Sequence, residues 1–66
     1  MDKDTVLTMD PFMLLSIVNM KLRDAYSSLQ SLCDDWDIEE CLLHNRLKDI
    51  GYSYDKSHNQ YIPEIT

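Results

Sequence analysis

Cations are scarce in this chain: 6 Lys and Arg stand against 12 Asp and Glu, a formal net charge of −6 over 66 residues. Surfaces that hold nucleic-acid phosphates are normally basic, so this balance argues against such a partner unless the few cations cluster tightly. Glycine and proline are scarce as well, at 1 and 2, which leaves little room for linkers and no glycine-rich loop to cradle a phosphate. Long hydrophobic runs are missing. The densest, residues 12–18, is interrupted by Ser16 and falls short of the ~20 residues that span a bilayer, so no membrane partner is expected. The opening Met1-Asp2-Lys3-Asp4 carries acids where a secretory signal needs a basic stretch, and no export signal is read there. With only Cys33 and Cys41, a reducing cytoplasm and buried thiols are expected rather than a disulfide.

What the chain does have is apolar content, 44% hydrophobic by count, enough for a small core. It reads as one domain over residues 1–66. A chain this short buries roughly 60% of its unfolded surface, so its stability is marginal and a deep catalytic cleft is not expected.

Asp10-Pro11 is a helix start, because the carboxylate can accept from free backbone N–H groups and Pro at the first helical position sacrifices no bond. The helix is predicted over 11–25. Placed at 100° intervals, Ser16, Asn19 and Arg23 form a narrow polar strip. Leu14, Leu15, Val18, Leu22 and Ala25 lie on one apolar flank, and Met13, Ile17 and Met20 on another. A second helix is predicted over 28–36, capped at Ser27-Ser28 with Gln30 reaching back to Ser27, and with Leu29, Leu32, Cys33 and Trp36 facing inward. Asp37 followed by Glu40 repeats the cap spacing and predicts a third helix over 38–50, ended by Gly51 in a left-handed conformation. Beyond Gly51 the period changes from 3.6 to 2. Tyr52 and Tyr54 alternate with Ser53, residues 55–59 read as a turn, and Gln60-Tyr61-Ile62 resumes, predicting a hairpin over 52–62. Residues 1–9 read as an extended segment that pairs with the hairpin or as a frayed end.

Residues 28–52 resemble a helix-turn-helix by spacing: Cys33 at the close approach of the helices, Ile38 in the turn, Leu43, Leu47 and Ile50 facing inward. Gly51-Tyr52 then leads into a hairpin, as in winged members. The resemblance implies DNA binding through Asn45, Arg46, Lys48 and Lys56. Against it, Asp34, Asp35, Asp37, Glu39 and Glu40 place five acids where recognition residues would meet phosphate. Helix N-terminal dipoles account for acids at that place without any ligand. A second resemblance covers nearly the whole chain. The run from Met9 through Asp24, with Ser27-Ser28-Leu29 and Ile50-Gly51-Tyr52 to Asn59-Gln60, resembles a family of short bacterial proteins catalogued as a domain of unknown function. That implies a bacterial, stand-alone, cytoplasmic protein and brings no catalytic residue or cofactor.

Soft ligands are present in Cys33, Cys41, His44 and His58, yet they lack the close Cys-x-x-Cys pair of structural zinc sites, and both cysteines fall on core positions. No metal or cofactor is expected. A nucleophilic thiol needs an electropositive pocket, whereas these sit beside carboxylates. The carboxylates, at exposed helix ends, are not poised for acid–base work either. The surplus apolar flank of the 11–25 helix remains. Met13, Ile17 and Met20 form a stripe suited to an adaptable partner, unless the hairpin of Tyr52, Tyr54, Tyr61 and Ile62 folds over it.

The sequence therefore predicts an α+β, mainly α mini-domain: three helices arranged like a helix-turn-helix, plus a wing-like C-terminal hairpin. The expected function is non-enzymatic, through protein contacts, with a homodimer across Met13, Ile17 and Met20 as one form. The alternative is a winged-helix-like DNA-binding or regulatory protein that needs a basic partner. A third reading has the rim of Asp34, Asp35, Glu39 and Glu40 mimicking nucleic acid toward a basic protein. No small-molecule substrate is evident.

Overall fold

In the computed structural model, which describes residues 3–64, four helices precede a two-stranded antiparallel hairpin: α1 (Lys3–Thr8), α2 (Pro11–Asp24), α3 (Leu29–Trp36), α4 (Glu40–Lys48), β1 (Tyr52–Asp55) and β2 (Gln60–Pro63). The fold is thus α+β and mainly α. Among the described residues no helix is long and apolar enough to cross a membrane.

α1 corrects the extended or frayed reading of residues 1–9, of which Met1 and Asp2 lie outside the described residues. Thr5, Val6 and Thr8 favour strand by intrinsic preference, but α1 packs against α4 and Val6 is fully buried there. Tertiary burial outweighs a propensity difference of at most ~1 kcal/mol per residue. The Thr8 hydroxyl adds a bond to the Asp4 carbonyl at 2.8 Å.

α2 starts as its sequence dictates: Pro11 occupies the first turn and the Asp10 carboxylate accepts from the Met13 N–H at 3.2 Å. Its inward row is Leu14, Val18 and Leu22, while Ala25, expected on that flank, is exposed just past the helix end. α3 is capped by Ser28, whose hydroxyl accepts from the Ser31 N–H at 3.1 Å. Gln30, expected to reach back to Ser27, is exposed, and the third helical position is held by Ser31 instead.

The α3–α4 turn departs from expectation in a definite way. Asp37 caps no following helix; at φ 55°, ψ 48° it is the left-handed residue that closes α3. Its N–H donates to the Asp34 carbonyl at 3.3 Å and the Ile38 N–H to the Cys33 carbonyl at 3.0 Å, the paired bonds of a Schellman motif. Ile38 is then the buried apolar residue that follows such a turn, outside either helix. α4 begins only at Glu40, behind a Glu39 cap with no side-chain bond, and ends at Lys48 rather than residue 50. Gly51, at φ +83°, makes the turn into β1.

In the hairpin, Tyr52 faces Pro63, Ser53 faces Ile62, Tyr54 faces Tyr61 and Asp55 faces Gln60. Tyr61 joins the core cluster with Leu14, Val18, Leu32, Leu43 and Leu47. Asn59, left-handed at φ 51°, sends its amide to the carbonyls of Leu22 and Tyr26 at 3.1 and 3.0 Å and so caps the end of α2.

Candidate contact surface on α2

α2 touches α3, α4 and β2 and has more apolar residues than those contacts absorb. Phe12 and Met13 are each 58% exposed and Met20 44%, and these are the exposed large hydrophobics of the described chain. Phe12, Ser16 and Met20 follow one another at four-residue spacing, and Met13 and Ile17 form the adjacent row, so all five share one helix face. Ile17 is half-buried and packs against the rim of the core.

The face stays open because the hairpin docks elsewhere. The Asn19 side chain accepts from the Tyr61 N–H at 2.7 Å and donates to the Tyr61 carbonyl at 3.0 Å, fixing β2 along the polar strip of the helix. The tyrosine hairpin leaves Met13 and Met20 uncovered, while Ile17 is half-buried. The strip is a docking line, and the hairpin reaches only its Met20 border, across a groove that also holds Arg23 and Gln60. The sequence reading does not single out Phe12. Its i, i+4, i+8 relation to Ser16 and Met20 is the available signal, obscured because Ser16 also lies on the polar strip.

Elsewhere, Asp34, Asp35, Glu39 and Glu40 are all exposed and surround the Asp37 turn. The Tyr26 hydroxyl donates to Asp35, and the Cys41 thiol lies 3.6 Å from the Glu39 carboxylate. Among the described residues no group of three or more His, Cys, Asp or Glu is placed to hold a metal ion. Cys33 is buried, and burial, with Glu40 and Asp34 nearby, pushes its thiol up to about 11. Cys41 is exposed, against the expectation that both thiols lie in the core. His44 is half-buried, its ring 6.2 Å from that of Tyr61 and tilted by 38°, while His58 contacts Asp55 at the hairpin turn. The Tyr61 hydroxyl is buried without a hydrogen-bond partner among the described residues, and desolvation raises its pKa.

Of the residues implied by DNA binding, Asn45, Lys48 and Lys56 are exposed. Arg46 is not available. It is half-buried, its Nη2 donates to the Met9 carbonyl at 2.5 Å, and its Nε is enclosed, so it braces the α1–α2 junction against α4. Two lysines without Arg46, in a chain of formal charge −6, make a weak phosphate surface.

No curated protein and no solved structure matches this sequence. The family described as a domain of unknown function, DUF4250, matches residues 8–61, a span that begins just before the Asp10-Pro11 helix start and ends on Tyr61, the residue that Asn19 holds. The chain belongs to that family.

Proposed function

We infer that this protein is a non-enzymatic contact module whose α2 face is covered by a second copy of the chain. The observation that carries the reading is the grouping of Phe12, Met13 and Met20 on one helix face, in a chain whose other described large hydrophobics are buried or half-buried. Removing such side chains from water is worth about 25 cal/mol per Å² of apolar surface. Two antiparallel α2 helices related by a twofold axis near Ser16 set Phe12 of each against Met20 of the other. The same pairing brings the basic end at Lys21 and Arg23 toward the Asp10 end of the partner helix.

Sedimentation equilibrium or light scattering across micromolar concentrations tests this. The expected result is a monomer–dimer equilibrium that shifts fully to monomer in Met13→Glu/Met20→Glu, with the helical circular dichroism signal retained. A strict monomer at every concentration sinks the self-association.

A further inference from the structure

The two edges of the hairpin are not equivalent. The Glu64 N–H donates to the Gly51 carbonyl at 2.7 Å, which makes residues 51 and 64 a hydrogen-bonded pair. Antiparallel alternation then makes Ser53–Ile62 and Asp55–Gln60 the other bonded pairs, and turns the backbone groups of Tyr52, Tyr54, Tyr61 and Pro63 outward. On the β2 side Asn19 satisfies both groups at Tyr61 and Pro63 has no N–H to offer, which leaves only the Pro63 carbonyl turned outward. On the β1 side, the N–H and C=O of Tyr52 and of Tyr54 have no hydrogen-bond partner among the described residues. An unpaired strand edge is a template for another strand.

Tyr54 of that edge strand also lines an open groove of about 430 Å³, with Leu29, Glu40, Cys41 and His44. A neighbouring hollow shares Leu29, Glu40 and Tyr54 and extends to Lys56. Tyr54 of β1 lines both, together with residues of α3 and α4. We propose that β1 is a peptide-binding edge, which takes an extended segment of another protein as a third strand, with apolar side chains over Leu29 and Cys41 and a cation toward Glu40. A second copy fits poorly. It carries the same formal charge of −6, and like charges facing each other oppose pairing. A basic segment is favoured by Glu40 in the groove and by the chain's formal charge of −6. This edge is separate from the α2 face and does not depend on its pairing.

The test is an NMR titration of the ¹⁵N-labelled protein with a short capped peptide alternating valine and lysine. A second peptide has the same sequence and is N-methylated on every residue, so that it keeps the charge and loses the strand-pairing N–H groups of both its edges. Expected are saturable shifts centred on the Tyr52 and Tyr54 amides, slower hydrogen exchange at both, and binding about tenfold weaker for the methylated peptide, or ~1.4 kcal/mol. Glu40→Gln should weaken the unmethylated peptide about twofold while leaving the difference between peptides intact. Equal binding of the two peptides, shifts confined to the acidic rim or the α2 face, or no shift at millimolar peptide overturns the proposal. So does slowed Tyr52 and Tyr54 exchange that depends on protein concentration alone, which would assign the edge to a second copy.

Discussion

Asn19 and Tyr61, 42 positions apart, form a two-bond pair in which a helix side chain does what a third strand would do: it accepts from the Tyr61 N–H at 2.7 Å and donates to the Tyr61 carbonyl at 3.0 Å. The pair seals one sheet edge and sets the angle at which the hairpin leaves α2. It also explains why Met13 and Met20 stay open, since β2 can occupy only one line along the helix.

Asn19→Ala removes both partners and strands two part-buried backbone groups. Each net bond is worth about 1 kcal/mol and an orphaned group costs somewhat more, so a loss of about 2–3 kcal/mol is expected. Asn19→Asp keeps the acceptor for the Tyr61 N–H but sets an oxygen against the Tyr61 carbonyl, and should fall close to alanine. Urea unfolding followed by circular dichroism measures both; a loss under about 0.5 kcal/mol in Asn19→Ala would contradict the role.

Asn59 is the second clasp. Its amide caps the Leu22 and Tyr26 carbonyls, and its Oδ1 accepts from the Tyr54 hydroxyl at 2.5 Å, which in turn accepts from the Leu29 N–H at 3.3 Å. One chain of bonds thus joins the end of α2, the hairpin and the start of α3. Asn59→Gly preserves the left-handed backbone and removes the bonds, whereas Tyr54→Phe removes one oxygen; each should cost about 1–2 kcal/mol. Because they share a bond, the double variant should cost less than the sum by about 0.5 kcal/mol or more. Strict additivity would show that the two act separately.

Much of this architecture was legible in the sequence because it rests on local chemistry. Asp10-Pro11 starts α2 through its cap and its first-turn proline, Gly51 makes the turn after α4 because it tolerates positive φ, and the change of period after residue 51 marks the hairpin. What was not legible is non-local. A strand-prone segment around Val6 is helical because Val6 is buried in the core and α1 packs against α4. Arg46 looked like a surface cation until its carbonyl partner, Met9, was brought beside it from 37 positions away. Asn19 had the same ambiguity, since a polar strip on a helix reads as solvated unless a strand edge needs it. The family match adds the membership of residues 8–61 and assigns no chemistry to any of these residues.

Two left-handed residues make opposite predictions. Asp37 holds φ 55° with a side chain, so Asp37→Gly relieves a steric cost of about 1 kcal/mol, partly offset by glycine's greater unfolded-state entropy, and should leave the protein equal or slightly more stable. Gly51 sits at φ +83°, and an added Cβ there meets nothing within 4 Å. Gly51→Ala should therefore cost about 1–2 kcal/mol through the backbone alone. A D-alanine at 51, introduced by chemical synthesis, should recover that loss. If it does not, the penalty comes from contacts rather than from φ. Thermal and urea unfolding resolve both cases.

The hairpin turn carries an acid-sensitive pair. The contact from His58 at 2.5 Å, together with the Ser57 N–H at 3.0 Å, holds the Asp55 carboxyl below its ordinary value of 3.8. A depressed carboxylate pKa gives stability that is present above the unfolded value and is lost as pH falls through the folded one. The loss should thus be confined to acid conditions, beginning near pH 4, and should be diminished in His58→Gln. NMR titration of the Asp55 carboxyl in both proteins decides it: an unchanged midpoint in His58→Gln would remove the histidine from the account.

The two thiols should separate cleanly by reactivity. Cys41 is exposed, whereas Cys33 is enclosed between α3 and the core and its pKa is pushed up to about 11 from 9.0, chiefly by desolvation. An aromatic disulfide reagent at pH 8 should modify one thiol in the native protein and two in denaturant, and Cys41→Ser should abolish the native reaction. Linkage gives the sign of the pH effect. A thiol protonated more tightly when folded contributes stability that is intact below pH 9 and declines as pH rises from there through about 11, because the unfolded chain ionises first. Cys33→Ala should flatten that part of the alkaline limb even though it lowers stability at neutral pH by opening a small cavity. An alkaline limb of the same steepness in Cys33→Ala would assign the decline to other groups, first among them Tyr61, whose buried hydroxyl is also raised.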